Sequence, residues 1–144
     1  MKIPIYFKKK THVPTDLEIL NEIYEKYYDK FANFSKSDSH RKTKIYVPIK
    51  IDAIAEECAV DNDIIFGRLY YHLEKKYKYK NEDGSLVHLF ARVLGDEKHC
   101  VNFPLVASVL ADLRRENRKF WIATVISLVS LGISLTSLAV SLWA

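Results

Sequence analysis

The side chains able to do chemistry are few and dispersed. The chain has five histidines, His12, His40, His72, His88 and His99, and two cysteines, Cys58 and Cys100. A structural or catalytic metal needs three or four converging ligands. His88 and His99 fall on segments that read as strands, and His99 and Cys100 are neighbours whose side chains leave a strand on opposite faces. No metal site and no cofactor is expected. The carboxylates Glu56, Glu57, Asp61 and Asp63 are explained by helix surface and capping before any acid/base pair. The chain has no GxGxxG, P-loop, HExxH or GxSxG pattern. Enzymatic function therefore has no residues to support it, and the chain is expected not to be an enzyme.

Two other patterns carry more. The first is basic: Arg68 and Lys75 in one apolar-periodic stretch, then Lys76, Lys78 and Lys80 in KYKYK. These residues could neutralise phosphates. Lysines on an exposed edge strand also block edge-to-edge pairing, so the pattern has a structural reading beside the functional one. The second pattern is a stripe of small residues, Ala123, Ser127, Ser130, Ser134, Ser137, Ser141 and Ala144, spaced alternately by four and three. That heptad repeat presents one seam to a partner helix. Small residues allow close approach, and hydroxyls can bond across the seam. A parallel self-associating helix, dimer or larger, is expected; the competing reading has each serine bonding back to its own helix.

The segment that carries the stripe is uncharged from Phe120 to Ala144, 25 residues. As a helix it measures roughly 37 Å, enough to cross a hydrocarbon core of ~30 Å. All 22 Lys+Arg and 18 Asp+Glu lie before it. A single-pass, tail-anchored membrane protein is expected. Arg114, Arg115, Arg118 and Lys119 precede the span and, with Glu116, give this hexapeptide +3 of the net +4. Positive flanks stay on the cytoplasmic side and favour anionic lipid, so residues 1–119 are expected in the cytoplasm, at the inner (cytoplasmic) membrane. In that reducing compartment both cysteines are expected as thiols.

The remaining elements follow from periodicity. Ile3, Ile5 and Phe7 alternate as a short strand ended by Lys8–Lys10. Thr15 and Glu18 form a capping box, and Leu17, Leu20, Tyr24, Tyr27, Phe31 and Phe34 mark a helix over about 16–34. Residues 35–44 are polar and read as a linker. Ile45–Ile51 reads as a strand at a sheet edge, because of Pro48. Short and longer helices follow over about 52–59 and 62–77, with Asp61 as N-cap and Ile65, Leu69 and Leu73 on one face. KYKYK, NEDG and LVHLFARVL read as strand, turn and strand, Gly95–Lys98 as a turn, and His99–Phe103 as a third strand. From Pro104 a helix is expected to run on into the span.

Helix, tight turn, helix and hairpin is the order of the winged helix-turn-helix superfamily. Residues 54–69, IAEECAVDNDIIFGRL, resemble its helix-turn-helix core, with Ala55 where the helices meet, Ala59 in the turn, and Val60 and Leu69 at core positions. The resemblance covers about residues 45–103. The whole chain also resembles small bacterial membrane proteins of unassigned function. The expected fold is α+β: an N-terminal strand, helix and polar linker (1–44), a winged helix-like domain (45–103), a juxtamembrane basic helix (104–119) and a transmembrane helix (120–144). The resemblance implies DNA reading, with the second helix in the major groove and the wing on phosphate. Asp61, Asn62 and Asp63 at the head of that helix oppose this, and the nine tyrosines suit a protein contact. The favoured expectation is a membrane-anchored cytoplasmic interaction or effector protein, self-associating through its span and meeting a cytoplasmic protein partner. The alternative is a membrane-tethered winged-helix DNA-binding transcriptional regulator.

Overall fold

A computed structural model describes residues 12–35, 41–95 and 97–143. The expected strand at Ile3–Phe7, residues 36–40 of the linker, Asp96 in the last turn and Ala144 of the small-residue stripe lie outside the described residues. The chain divides into two units, residues 1–110 and 111–144, and is α+β.

In the first unit, α1 (Asp16–Ala32) starts at the expected capping box. The Glu18 N–H donates to Thr15 Oγ1 at 3.2 Å, and the Thr15 N–H donates to Glu18 Oε2 at 2.7 Å. Its buried face is Ile19, Leu20, Ile23 and Tyr27. Leu20 and Tyr27 of the expected apolar stripe belong to that face, and Tyr24 and Phe31 lie beside it. Tyr24 and Phe31 are half-buried and stack on Phe103, with centroids 5.3 and 4.8 Å away. β1 (Tyr46–Pro48) leads into α2 (Ile51–Cys58), whose first turn is fixed by the Lys50 N–H donating to the Tyr27 hydroxyl at 2.8 Å.

α2 ends in a Schellman motif. The Val60 N–H donates to the Ala55 carbonyl at 3.0 Å and the Ala59 N–H to the Glu56 carbonyl at 3.1 Å, which satisfies carbonyls at the helix end. The motif puts Ala59 at φ 54°, ψ 44°, left-handed backbone that favours glycine. Asp61 then caps the second helix, its carboxylate accepting from the Asp63 N–H at 2.9 Å.

The second helix occupies the expected residues but is not uniform. α3 (Asn62–Gly67) passes through a π-helical stretch, π1 (Arg68–Leu73), into α4 (Glu74–Tyr77). Its side chains repeat every four residues: Ile65, Leu69 and Leu73; Phe66, Tyr70 and Glu74; Arg68, His72 and Lys76. At 3.6 residues per turn such stripes would drift around the helix. The wider π turn resets the phase, and Ile65, Leu69 and Leu73 all reach the core.

The strands are shorter than their apolar runs. Lys76 and Tyr77 are helical, so only Tyr79 and Lys80 of KYKYK form a strand, β2, paired with β3 (Leu86–Val87) across a turn with Gly84 at φ 87°. LVHLFARVL breaks at His88 and resumes as β4 (Phe90–Leu94), antiparallel to β5 (Glu97–Asn102). β5 also pairs with β1, giving the sheet order β1-β5-β4. Phe103 opens a helix instead of closing the strand: α5 (Phe103–Trp143), started by Asn102 Oδ1 accepting from the Leu105 N–H at 3.1 Å. No disulfide joins Cys58 and Cys100.

In the second unit α5 continues through the basic cluster and the uncharged segment. It is long and apolar enough to cross a membrane, and no part of its most apolar stretch is buried. A soluble core helix would be covered, so the finding supports a single-pass membrane protein.

Holding a residue with a Cβ in left-handed backbone costs about 1–2 kcal/mol. Ala59→Gly should therefore stabilise the first unit by about 1 kcal/mol. In the full chain in detergent micelles, amide exchange at the buried Ile54 and Leu69 should slow roughly fivefold. Unchanged or faster exchange would mean that Ala59 is not held there.

Candidate functional site

The faces of the second helix that do not enter the core build two polar sites. The first joins it to α1. Arg68, His72 and Lys76, one stripe, all reach Asp16 in the first turn of α1. Arg68 Nη2 donates to Oδ1, His72 Nε2 to Oδ2 at 3.0 Å, and Lys76 Nζ lies 3.7 Å from Oδ2. The Asp16 side chain is only 14% exposed. Burial alone would raise its pKa, but the hydrogen bonds and charges of Arg68 and His72 outweigh it and hold the carboxyl below its ordinary 3.8.

The second site joins the helix to the sheet. Glu74 is 8% exposed. Its Oε2 accepts from the Leu89 and Phe90 N–H groups, both at 2.8 Å, and its Oε1 accepts from His88 Nδ1 at 2.6 Å. A buried carboxylate needs such partners, and here it replaces a neighbouring strand where β4 begins. This is why the apolar run 86–94 breaks at His88.

Between the second helix and β4 lies an open groove of about 980 Å³. Tyr70, Tyr71, Lys75 and Lys78 form the helix wall; Leu86, His88 and the residues of β4 form the other; Tyr46 lies at its base, its hydroxyl donating to the His88 carbonyl at 3.4 Å. Arg92 lies over the Tyr70 ring at 5.0 Å. The rim is apolar and solvated: Tyr71 is 71% exposed, Val93 63% and Leu86 55%. His99, at φ 55°, turns its ring between Phe66 and Phe90, with centroids 5.7 and 6.2 Å away, and packs the β4–β5 hairpin onto the helix.

The basic residues singled out from the sequence are thus divided. Arg68 and Lys76 converge on Asp16, Lys75 and Lys78 line the groove, and Lys80 lies exposed on β2. Asp16, Glu74 and Arg92 are not among the residues singled out from the sequence, and His88 enters there only as a possible metal ligand; the exact four-residue repeat is the signal that holds two of these sites. Among the described residues no group of three or more His, Cys, Asp or Glu is placed to hold a metal ion.

In the span, Ser127, Ser130 and Ser134 each donate to the carbonyl four residues back at 2.9 Å, and Ser141 to Leu138 O at 2.8 Å. The single helix thus satisfies these hydroxyl donors itself, while each oxygen keeps acceptor capacity for a neighbour.

Comparison with protein-family models, with curated proteins and with solved structures returns no match.

Removing the Glu74 carboxylate strands two buried N–H groups at roughly 1–3 kcal/mol each. Glu74→Ala should cost about 2–6 kcal/mol in denaturant titrations of the full chain followed by near-UV signal. Glu74→Gln keeps an acceptor oxygen and should cost less; equal losses would mean that the N–H bonds do not matter.

Asp16 has a depressed folded pKa, so its contribution is fully present above the ordinary value of 3.8 and is lost as pH falls below that toward the folded value. Asp16→Asn should lower stability at neutral pH and flatten the acid limb in that window. An unchanged acid limb would contradict the ion cluster.

Proposed function

We propose that this chain is a membrane-anchored protein-interaction module, self-associating through its span, with residues 1–119 in the cytoplasm and its groove face turned to a partner. The observation that carries the reading is the exposed apolar rim. Tyr71, Leu86, Val93 and Leu94 stand in water beside a tyrosine-lined groove, and solvated apolar patches with polar surroundings mark protein contacts. The winged helix-turn-helix reading is supported by the element order α1, β1, α2, second helix, hairpin and by the sheet order.

The alternative, a membrane-tethered DNA-binding regulator, draws on Lys75, Lys78 and Lys80. It is weakened by Asp61, Asn62 and Asp63, exposed at the end of the helix that would enter the groove of DNA, and by the engagement of Arg68 and Lys76 with Asp16. The cytoplasmic orientation and inner-membrane location rest on Arg114, Arg115, Arg118 and Lys119 beside the uncharged segment.

Energy transfer between labelled copies in phosphatidylcholine vesicles should report association. Interhelical hydroxyl contacts contribute ~1 kcal/mol each, so Ser130→Leu with Ser134→Leu should weaken it roughly tenfold or more. The full chain in nanodiscs should show no saturable binding of random duplex DNA. Transfer insensitive to the double substitution would remove the serine seam, and DNA binding that falls steeply with salt would put the regulator in place of the interaction module.

A further inference from the structure

The groove is more specific than its apolar rim. One wall is β4, an edge strand in the order β1-β5-β4. In an antiparallel ladder alternate residues face the partner. The Leu89 carbonyl accepts from the Asn102 N–H at 2.9 Å, and Ala91 and Val93 stand opposite Cys100 and Lys98. The backbone N–H and C=O of Arg92 and Leu94 therefore face away from β5. The Phe90 N–H, next on that side, is taken by Glu74. The edge is closed at its start and open over Arg92–Leu94.

The groove beside this edge is lined by three basic side chains, Lys75, Lys78 and Arg92, and one acid, Glu74. Among the described residues Lys75, Lys78 and Arg92 form no ion pair, and the acid lining the groove, Glu74, has both oxygens engaged. Tyr70 holds the Arg92 guanidinium over its ring. Unsatisfied strand edges invite an added strand unless they are blocked, and peptide recognition by strand addition combines main-chain bonds with pockets for alternate side chains.

We infer that the β4 edge takes an extended acidic segment of a partner protein as an added strand. Its backbone pairs with Arg92 and Leu94, its acidic side chains meet Lys75, Lys78 and Arg92, and apolar residues between them pack on Tyr71 and Val93. This rests on the reading of the domain as a protein-interaction module. A second copy of the chain would set these cations against each other, and duplex DNA has charge to offer but no strand to add.

The test uses the full chain in phosphatidylcholine nanodiscs and a fluorescent peptide alternating aspartate and valine. Saturable binding is expected. Arg92→Glu, an exposed position, should weaken it roughly tenfold or more, with amide exchange in the core unchanged. Methylating alternate peptide nitrogens, tried in both registers, should weaken binding similarly in one register, because the edge then loses its donors. Absence of binding, or equal binding in both registers, would overturn the inference. A lysine–valine peptide binding as well or better would overturn the acidic preference and leave the interaction module standing. Duplex DNA that binds, and is lost in Lys75→Glu, would overturn both.

Discussion

Withdrawing a carboxylate from water is unfavourable unless its oxygens find donors, and the first unit is arranged around one that has found three. Glu74 stands where the second helix meets the sheet, bonded to His88 and to two consecutive backbone amides. Those amides would otherwise be buried without acceptors, since Leu89 and Phe90 are almost fully covered. The carboxylate therefore sets where β4 begins, bends the chain out of β3, and fixes the distance between the helix and β4 that becomes the groove. Deleting either side leaves the other stranded, so helix and sheet are coupled more tightly than apolar packing alone would couple them.

That coupling depends in turn on helix phase. Phe66, Tyr70 and Glu74 share a stripe only because π1 widens the helix at Arg68–Leu73. The same adjustment lines up Ile65, Leu69 and Leu73 toward the core and Arg68, His72 and Lys76 toward Asp16. Three stripes at a period of four thus send one helix against three neighbours: the core, α1 and the sheet. A regular α-helix would have rotated the later members of each stripe off target.

Much of the framework was legible in the residues. The capping box at Thr15 and Glu18, the N-cap at Asp61, the turn at Gly84 and the uncharged run after Lys119 have local causes, and local causes can be read from spacing. What was not legible depends on contacts distant in sequence. Glu74 in EKKY looks like a solvated helix residue, and its burial is decided by amides 15 and 16 positions later. Lys76 falls both in the expected helix over 62–77 and in the alternating KYKYK, and it is Asp16, far back in the chain, and the helical backbone that claim it. Phe103 was read as strand, but Tyr24 and Phe31 stack on its ring, and Asn102 caps the helix it begins. The groove itself, made by Tyr46, the second helix and β4 together, had no linear trace beyond a surplus of tyrosine.

The hydroxyls of the uncharged segment bear on how the chain reaches its membrane. Ser127, Ser130, Ser134 and Ser141 donate to carbonyls of their own helix, so a lone helix enters hydrocarbon with none of these donors stranded. For these four hydroxyls insertion then needs no companion. Under the proposed self-association, pairing is a later, reversible step governed by how many copies share a given area of bilayer, so that abundance in the membrane would set the fraction assembled.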